Sequence, residues 1–177
     1  MDESLPIDAV PRWFEGVSLN FAENALFSHP VGHADPSARC VEHKEDGKVA
    51  VTEVREGGSE VRSVTYGELR EMVAHMAKAM KARGVGRGDR VVIVGANSVE
   101  TLVVWLAAGW VGAVFSTSST DMGVKGILQR SVQVNPKVSA AFIRGFEVGE
   151  GVMLISGVTA SCCSWMTPRC TTARWLI

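Results

Sequence analysis

The chain has 177 residues, 46% of them hydrophobic, and its 18 Lys and Arg against 19 Asp and Glu leave a net charge of −1. That is enough for one domain with a real core, or for the first part of a larger one, with a globular rather than disordered composition. No basic excess points to nucleic acid and no charge run to a membrane surface. The longest apolar run, residues 102–115, is too short to span a bilayer and is split by Gly109 and Gly112.

Residues 1–10 carry Asp2, Glu3 and Asp8 and no apolar h-region, so they do not read as a secretory signal, and the expected location is the cytoplasm. Of the four cysteines, Cys162, Cys163 and Cys170 lie near the end. No CxxC pair occurs and no His follows them, so a zinc site is not expected. Cys40 reads as a buried strand residue.

Residues 39–44 and 48–55 read as strands of a hairpin turned at Asp46-Gly47, and Gly57-Gly58 turns the chain toward a third strand over 61–65. Thr65 and Glu68 form a capping-box pattern. Behind it Leu69, Met72, Val73, Met76, Ala77 and Met80 fall on one helical face, and Gly84 ends that helix. The methionine stripe reads as core. Arg90–Val94 is a continuous apolar strand suited to burial on both faces of a parallel sheet. Asn97 or Ser98 caps a helix over 99–110 that is apolar nearly all round and therefore buried. Residues 112–115 form the next strand. Residues 116–120 form a hydroxyl-rich loop, and Thr120 or Asp121 caps a helix over 122–134 that Asn135-Pro136 stops. This β-α-β-α order predicts a layered α/β sheet with right-handed crossovers.

Three segments invite a chemical reading. Gly84-Val85-Gly86-Arg87-Gly88-Asp89 follows a helix and precedes a strand, the reverse of a phosphate-cradling loop, and reads as a turn. The strand at 90–94 runs into a helix with Gly95 alone before it, and no acidic residue ends the next strand. A Rossmann-type dinucleotide site is therefore the weaker alternative. Residues 116–121, Ser-Thr-Ser-Ser-Thr-Asp, leave the carboxyl end of a buried strand for a helix N-terminus, where ligands of open α/β sheets bind; a plain capping loop is the other reading. His29, His33, His43 and His75 have neither metal spacing nor a nucleophile partner. No catalytic or metal-ligating residue emerges.

Several segments together resemble the N-terminal part of AMP-forming acyl-CoA synthetases, the adenylate-forming superfamily. Trp13-Phe14-Glu15-Gly16 and Leu19-Asn20-Phe21-Ala22-Glu23-Asn24 are similar to the entry motif of its acetyl- and acetoacetyl-CoA synthetase branch. Val64-Thr65-Tyr66-Gly67-Glu68-Leu69 resembles the segment opening the first helix across the superfamily, and residues 84–94 resemble its glycine turn and strand. Ser118-Ser119-Thr120-Asp121-Met122-Gly123-Val124 resembles the acetoacetyl-CoA synthetase form. The likeness covers roughly residues 6–137, and its order and spacing are more specific than any one motif.

The resemblance implies a partial three-layer α/β N-terminal part of an adenylate-forming enzyme, followed by an irregular C-terminal tail. The parent reaction would be ATP + acetoacetate + CoA → acetoacetyl-CoA + AMP + diphosphate, with Mg²⁺, ATP and CoA as the parent's cofactors. Ser118, Ser119 and Thr120 become contacts at the edge of the CoA channel. The family's phosphate loop ending in Pro-Lys, its adenine segment, its ribose-binding Asp, its hinge and its C-terminal adenylating Lys have no match in the 177 residues. Residues 1–177 by themselves are therefore expected to be inactive and to bind no cofactor productively. A further stretch is expected ahead of Trp13. A non-catalytic binding or interaction module on the same half-domain is the alternative.

After Lys137 the texture changes. Val138-Ser139 is encodable as a splice donor, and Ser161 as AGC supplies an acceptor. In a shifted frame Trp165-Met166-Thr167 must give Asp-Asp within a run that resembles the family after its Asn-Pro-Lys. Residues 1–137 are thus expected to be a partial N-terminal domain, and residues 138–177 a retained intron plus frameshifted exon. Apolar faces left uncovered by such a cut predict aggregation or capture by chaperones.

Overall fold

The computed structural model describes residues 15–29, 35, 38–55, 57–58, 60–119, 121–143 and 152–157. The elements in order are α1 (Phe21–Leu26), β1 (Val49–Val54), β2 (Val61–Thr65), α2 (Tyr66–Ala82), β3 (Arg90–Val94), α3 (Val99–Trp110), β4 (Val114–Ser118), α4 (Val124–Val134), β5 (Val138–Ile143) and β6 (Val152–Gly157). β1 and β2 form an antiparallel pair. The larger sheet has the order β4-β3-β5-β6, with β3 parallel to both β4 and β5, and β6 antiparallel to β5. The chain is α/β, as its pattern predicts.

Most helix ends fall where their chemistry places them. Thr65 and Glu68 make a reciprocal capping box on α2, and Gly84, at φ +77°, follows the C-cap Arg83. Leu69, Val73, Ala77 and Met80 are buried, and Met72 and Met76 pack beside them. Ser98 caps α3 by accepting from the Thr101 amide at 3.3 Å. Six residues of α3 are buried, joining Val91 and Ile93 of β3 in the core.

Four expectations are corrected. Residues 39–44 are not a strand: Cys40 makes a single bridge with Ser28 and is only partly buried. The hairpin partner of β1 is β2, reached through Gly57-Gly58, because residues 42–44 turn too soon to extend. β4 runs through Ser118, so Ser116 to Ser118 belong to the strand and not to a loop; pairing with Val92–Val94 holds them extended. α4 begins at Val124 with Gly123 as N-cap and no side-chain cap bond, so Asp121 does not cap it. Thr120 lies outside the described residues.

The change of texture after Lys137 is also not the end of regular structure. β5 starts at Val138, which is buried, and lies against β3 in register with Val91. The turn into it is held on both sides. Arg90 donates through Nη2 to the Asn135 carbonyl at 2.7 Å, and the Lys137 amide donates to the Arg90 carbonyl at 2.9 Å. A central parallel strand leaves backbone groups open on its second edge, and the run Val-Ser-Ala-Ala-Phe-Ile takes them. Residues 158–177, with their three cysteines, lie outside the described residues.

Candidate functional site

The carboxyl ends of β3 and β4 lie side by side. The Gly95 amide donates to the Ser118 carbonyl at 3.2 Å, which brings the Gly95–Ser98 turn against the segment after β4. Ser118 is buried at 5% exposure, and Ser119 is exposed. Of the three hydroxyl residues read as a site, two are thus placed at this rim, and only Ser119 presents a side chain outward among the described residues.

The electrostatics of the rim are already occupied. Glu100 stands in the first turn of α3, where a carboxylate suits the helix dipole, and pairs with Arg62 at 2.9 Å. Burial pushes its pKa up, but hydrogen bonds from its own backbone, Arg62 and Ser98 outweigh burial, and the net direction is down. An anion arriving at α3 would meet this charge first. The Gly84–Asp89 turn is at the opposite end of the sheet, and its backbone donors are engaged within the turn and with its neighbours. Gly88 N donates to Gly112 O, Asp89 N to Gly86 O, and Gly86 N to the Asp89 carboxylate at 2.8 Å. Lys137 Nζ closes it with bonds to Asp89 (2.9 Å) and the Gly84 carbonyl (2.6 Å).

These donor sets do not fit the phosphates of ATP or a magnesium ion. Among the described residues no group of three His, Cys, Asp or Glu converges. A groove of about 480 Å³ runs along α4, lined by Met122, Gly126, Gln129, Arg130, Gln133 and Val134, with one guanidinium and two amides and no acid-base pair. The arrangement can line a channel or a docking surface.

The segments that carry the resemblance are joints of the fold. Asn20 caps α1 by accepting from Glu23 N at 3.1 Å, and its amide donates to the carbonyls of Gly109 and Trp110 at 3.2 Å, closing the end of α3. Ala22 is fully buried against Gly109, where an added Cβ would meet the Ala22 Cβ at 3.6 Å. Tyr66 carries the Arg70 guanidinium 5.8 Å from its ring centre, and Arg70 donates to the carbonyls of Leu26 (2.8 Å) and Lys44 (3.0 Å). Gly67 lies so close to Asp46 that a Cβ there would stand 3.1 Å from its backbone oxygen. Lys44 donates to the Asn24 and Phe27 carbonyls; burial, and then the Arg70 charge, lower its pKa. Periodicity carries no signal for the bonds of Asn20 to the end of α3 or for Lys44, because those partners are 17 to 90 positions away.

A mixed sheet whose parallel strands β3, β4 and β5 are joined by helical connections defines an α/β half-domain. The family model described as "AMP-binding enzyme" matches residues 38–159, and the chain belongs to that family. It is 41% identical over 153 residues to the acetoacetyl-CoA synthetase of Rattus norvegicus, covering 84% of this chain and 20% of the relative. Malonamoyl-CoA synthetase of Penicillium aethiopicum is 35% identical over 138 residues, covering 78% of this chain and 18% of the relative. The solved acetoacetyl-CoA synthetase from Streptomyces lividans superposes with TM-score 0.61 at 33% identity, over 73% of this chain and 18% of that one. The chain thus spans about a fifth of the length of the curated relatives it matches. Among the described residues no helix is long and apolar enough to cross a membrane.

Proposed function

We propose that residues 1–137 are part of the N-terminal domain of an AMP-forming acid–CoA ligase acting on short 3-oxo acids, with ATP, Mg²⁺ and CoA as cofactors of the whole ligase. The observation that supports this most is the 41% identity to acetoacetyl-CoA synthetase across 84% of the chain. The acid class follows from the products named for two relatives: acetoacetyl-CoA and malonamoyl-CoA both carry a second carbonyl at C3. Ser118, Ser119 and Thr120 are assigned to the edge of the CoA channel, with Ser119 as the exposed contact. The ligase works in the cytoplasm.

Residues 1–177 alone do not adenylate, because the family's phosphate loop, adenine segment and adenylating Lys have no match in them. Residues 138–177 derive from a retained intron and a shifted exon. A strand at 138–143 is compatible with that origin, since a six-residue run with Val138, Phe142 and Ile143 as β-formers beside an open strand edge suffices.

Diphosphate release from ATP and acetoacetate tests the reading. It should be absent with the 177-residue chain and present when residues 1–137 are joined in frame to the rest of a synthetase. Turnover by the chain alone overturns the inactivity, and a joined ligase that prefers acids lacking a C3 carbonyl overturns the substrate class. Continuous coding DNA across residues 135–177, without donor and acceptor, overturns the intron. Exchanging Ser119 for Asp in the joined enzyme should raise KM for CoA more than KM for ATP.

A further inference from the structure

Cations gather at the amino end of the larger sheet. The turns that enter β3, β4 and β5 meet there: the Gly88 amide donates to the Gly112 carbonyl at 2.9 Å, and Lys137 Nζ reaches the Gly84 carbonyl at 2.6 Å. The C-terminal end of α2 arrives at the same place. Together these segments carry Lys78, Lys81, Arg83, Arg87, Arg90 and Lys137 against Asp89, the single acid between Glu71 and Glu100. The cations are spaced along the sequence, so no charge run announces them; the fold collects them in a chain whose net charge is −1.

Most of this charge is not used by the fold. Arg90 and Lys137 are tied to the turn before β5, but Lys78, Lys81, Arg83 and Arg87 are exposed and meet no carboxylate among the described residues. The end of α2 does not need them as caps. Val85 N donates to the Met80 carbonyl at 3.0 Å, Gly84 N to Lys81 at 2.9 Å and Arg83 N to Ala79 at 3.2 Å, so the closing carbonyls are taken by backbone. Exposed aliphatics border the cations. Val114, whose amide donates to the Asp89 carbonyl at 2.7 Å, is 56% exposed. Val132, in the last turn of α4, is 77% exposed, and the carbonyl of the α4 C-cap Asn135 accepts from Arg90 at 2.7 Å.

We propose that this amino end of the sheet, opposite the rim at the carboxyl ends of β3 and β4, is a docking face for an anionic membrane surface. Charge complementarity carries the choice: anionic headgroups of a cytoplasmic leaflet attract clustered Lys and Arg over about a Debye length. The two valines decide between polyanions. An acidic peptide or a phosphate backbone draws on the cations, whereas a bilayer also takes exposed aliphatic side chains into its interface. The chain lies on such a surface reversibly. The inference is independent of the ligase reading above.

Flotation of the 177-residue chain with lipid vesicles tests it, because aggregated protein does not rise with them. Mixed phosphatidylserine–phosphatidylcholine vesicles should bind at least about a hundredfold more tightly than pure phosphatidylcholine at low salt, from roughly fivefold per free cation. Lys81→Gln with Arg87→Gln should weaken that binding at least about tenfold. Lys48→Gln with Lys125→Gln removes the same charge from the first residues of β1 and α4, away from this end, and should leave binding unchanged. Val114→Ser with Val132→Ser, at constant charge, should weaken it at least about threefold. Each variant is checked for retained helicity by circular dichroism. Equal flotation with pure phosphatidylcholine overturns the proposal, as does an equal loss in the two charge variants or full binding by the valine variant. Capture of a poly-glutamate peptide or an RNA without flotation assigns the face to that polyanion and overturns it too.

Discussion

Helices α3 and α4 each follow a parallel strand of the same sheet, yet only one is finished by the residues around it. α3 has a serine cap, six buried residues, and a C-terminal end closed by Asn20. α4 has no side-chain cap and no buried residue, and Val124, Leu128 and Val132 stand 57%, 41% and 77% exposed along one stripe. The difference is not hydrophobicity of pattern, since both helices carry apolar residues at helical spacing. It is that α1 and α2 pack onto α3, while nothing described beyond β3 makes comparable contact with α4. Stability in this chain is therefore concentrated around α2, α3 and β3, and the α4 side is a face awaiting cover.

The sharpest way to break that comparison is to truncate matched leucines on the two helices. Leu106→Ala, on the buried face of α3, should cost about 2–5 kcal/mol, whereas Leu128→Ala on α4 should stay within about 0.5 kcal/mol. Urea unfolding followed by circular dichroism reads both, and equal losses would show that α4 is packed in solution. Next come the α3 joints. Asn20→Ala should cost about 0.5–2 kcal/mol, because it uncaps α1 and frees the Gly109 and Trp110 carbonyls, and Ser98→Ala about 1 kcal/mol.

A smaller effect is expected at the turn before β3. The Lys137 ammonium, and then the Gly86 amide, hold the Asp89 carboxyl below the ordinary aspartate value of 3.8. A depressed folded pKa gives stability that is full above the unfolded value and lost as pH falls through the folded one. The melting temperature should fall on acidification below about pH 4, and Asp89→Asn should flatten that limb. An unchanged acid limb in the variant would remove Asp89 from the account. The smallest change is a supplied cap: Gly123→Ser should stabilise α4 by a few tenths of a kcal/mol, measured as a rise in helicity, while the α3 core is unaffected.

Legibility in the sequence followed the range of the interactions. The Thr65-Glu68 box, the α2 stripe, the bounds of α3 and the strand at 90–94 depend on neighbours within a few residues or on burial of a whole run, and all are read from pattern. The hairpin assigned to Asp46-Gly47 failed because the true partner strand lies beyond a second turn, and composition does not choose between two turns. The loop read at Ser116 to Ser118 is strand because β3 holds it, a pairing that hydroxyl-rich composition conceals. Of the candidate rim, the position at the carboxyl end of β4 was legible; that Ser118 points inward while Ser119 is exposed was not, because a one-residue step in a strand reverses the face.

What the sequence determined by itself is the family and the local grammar: the order of motifs, the caps and the buried strand at 90–94. Tertiary structure alone decided that those motifs meet as joints of the fold. The roles of Asn20, Gly67 and Arg70 exist only when positions 21 to 90 residues apart meet. It also placed residues 138–143 inside the sheet, beside β3, where no change of composition could put them. The physical reason is common to both: a backbone edge or a carbonyl end takes whichever compatible group the fold brings to it, and which group that is depends on the three-dimensional path, not on local residue type.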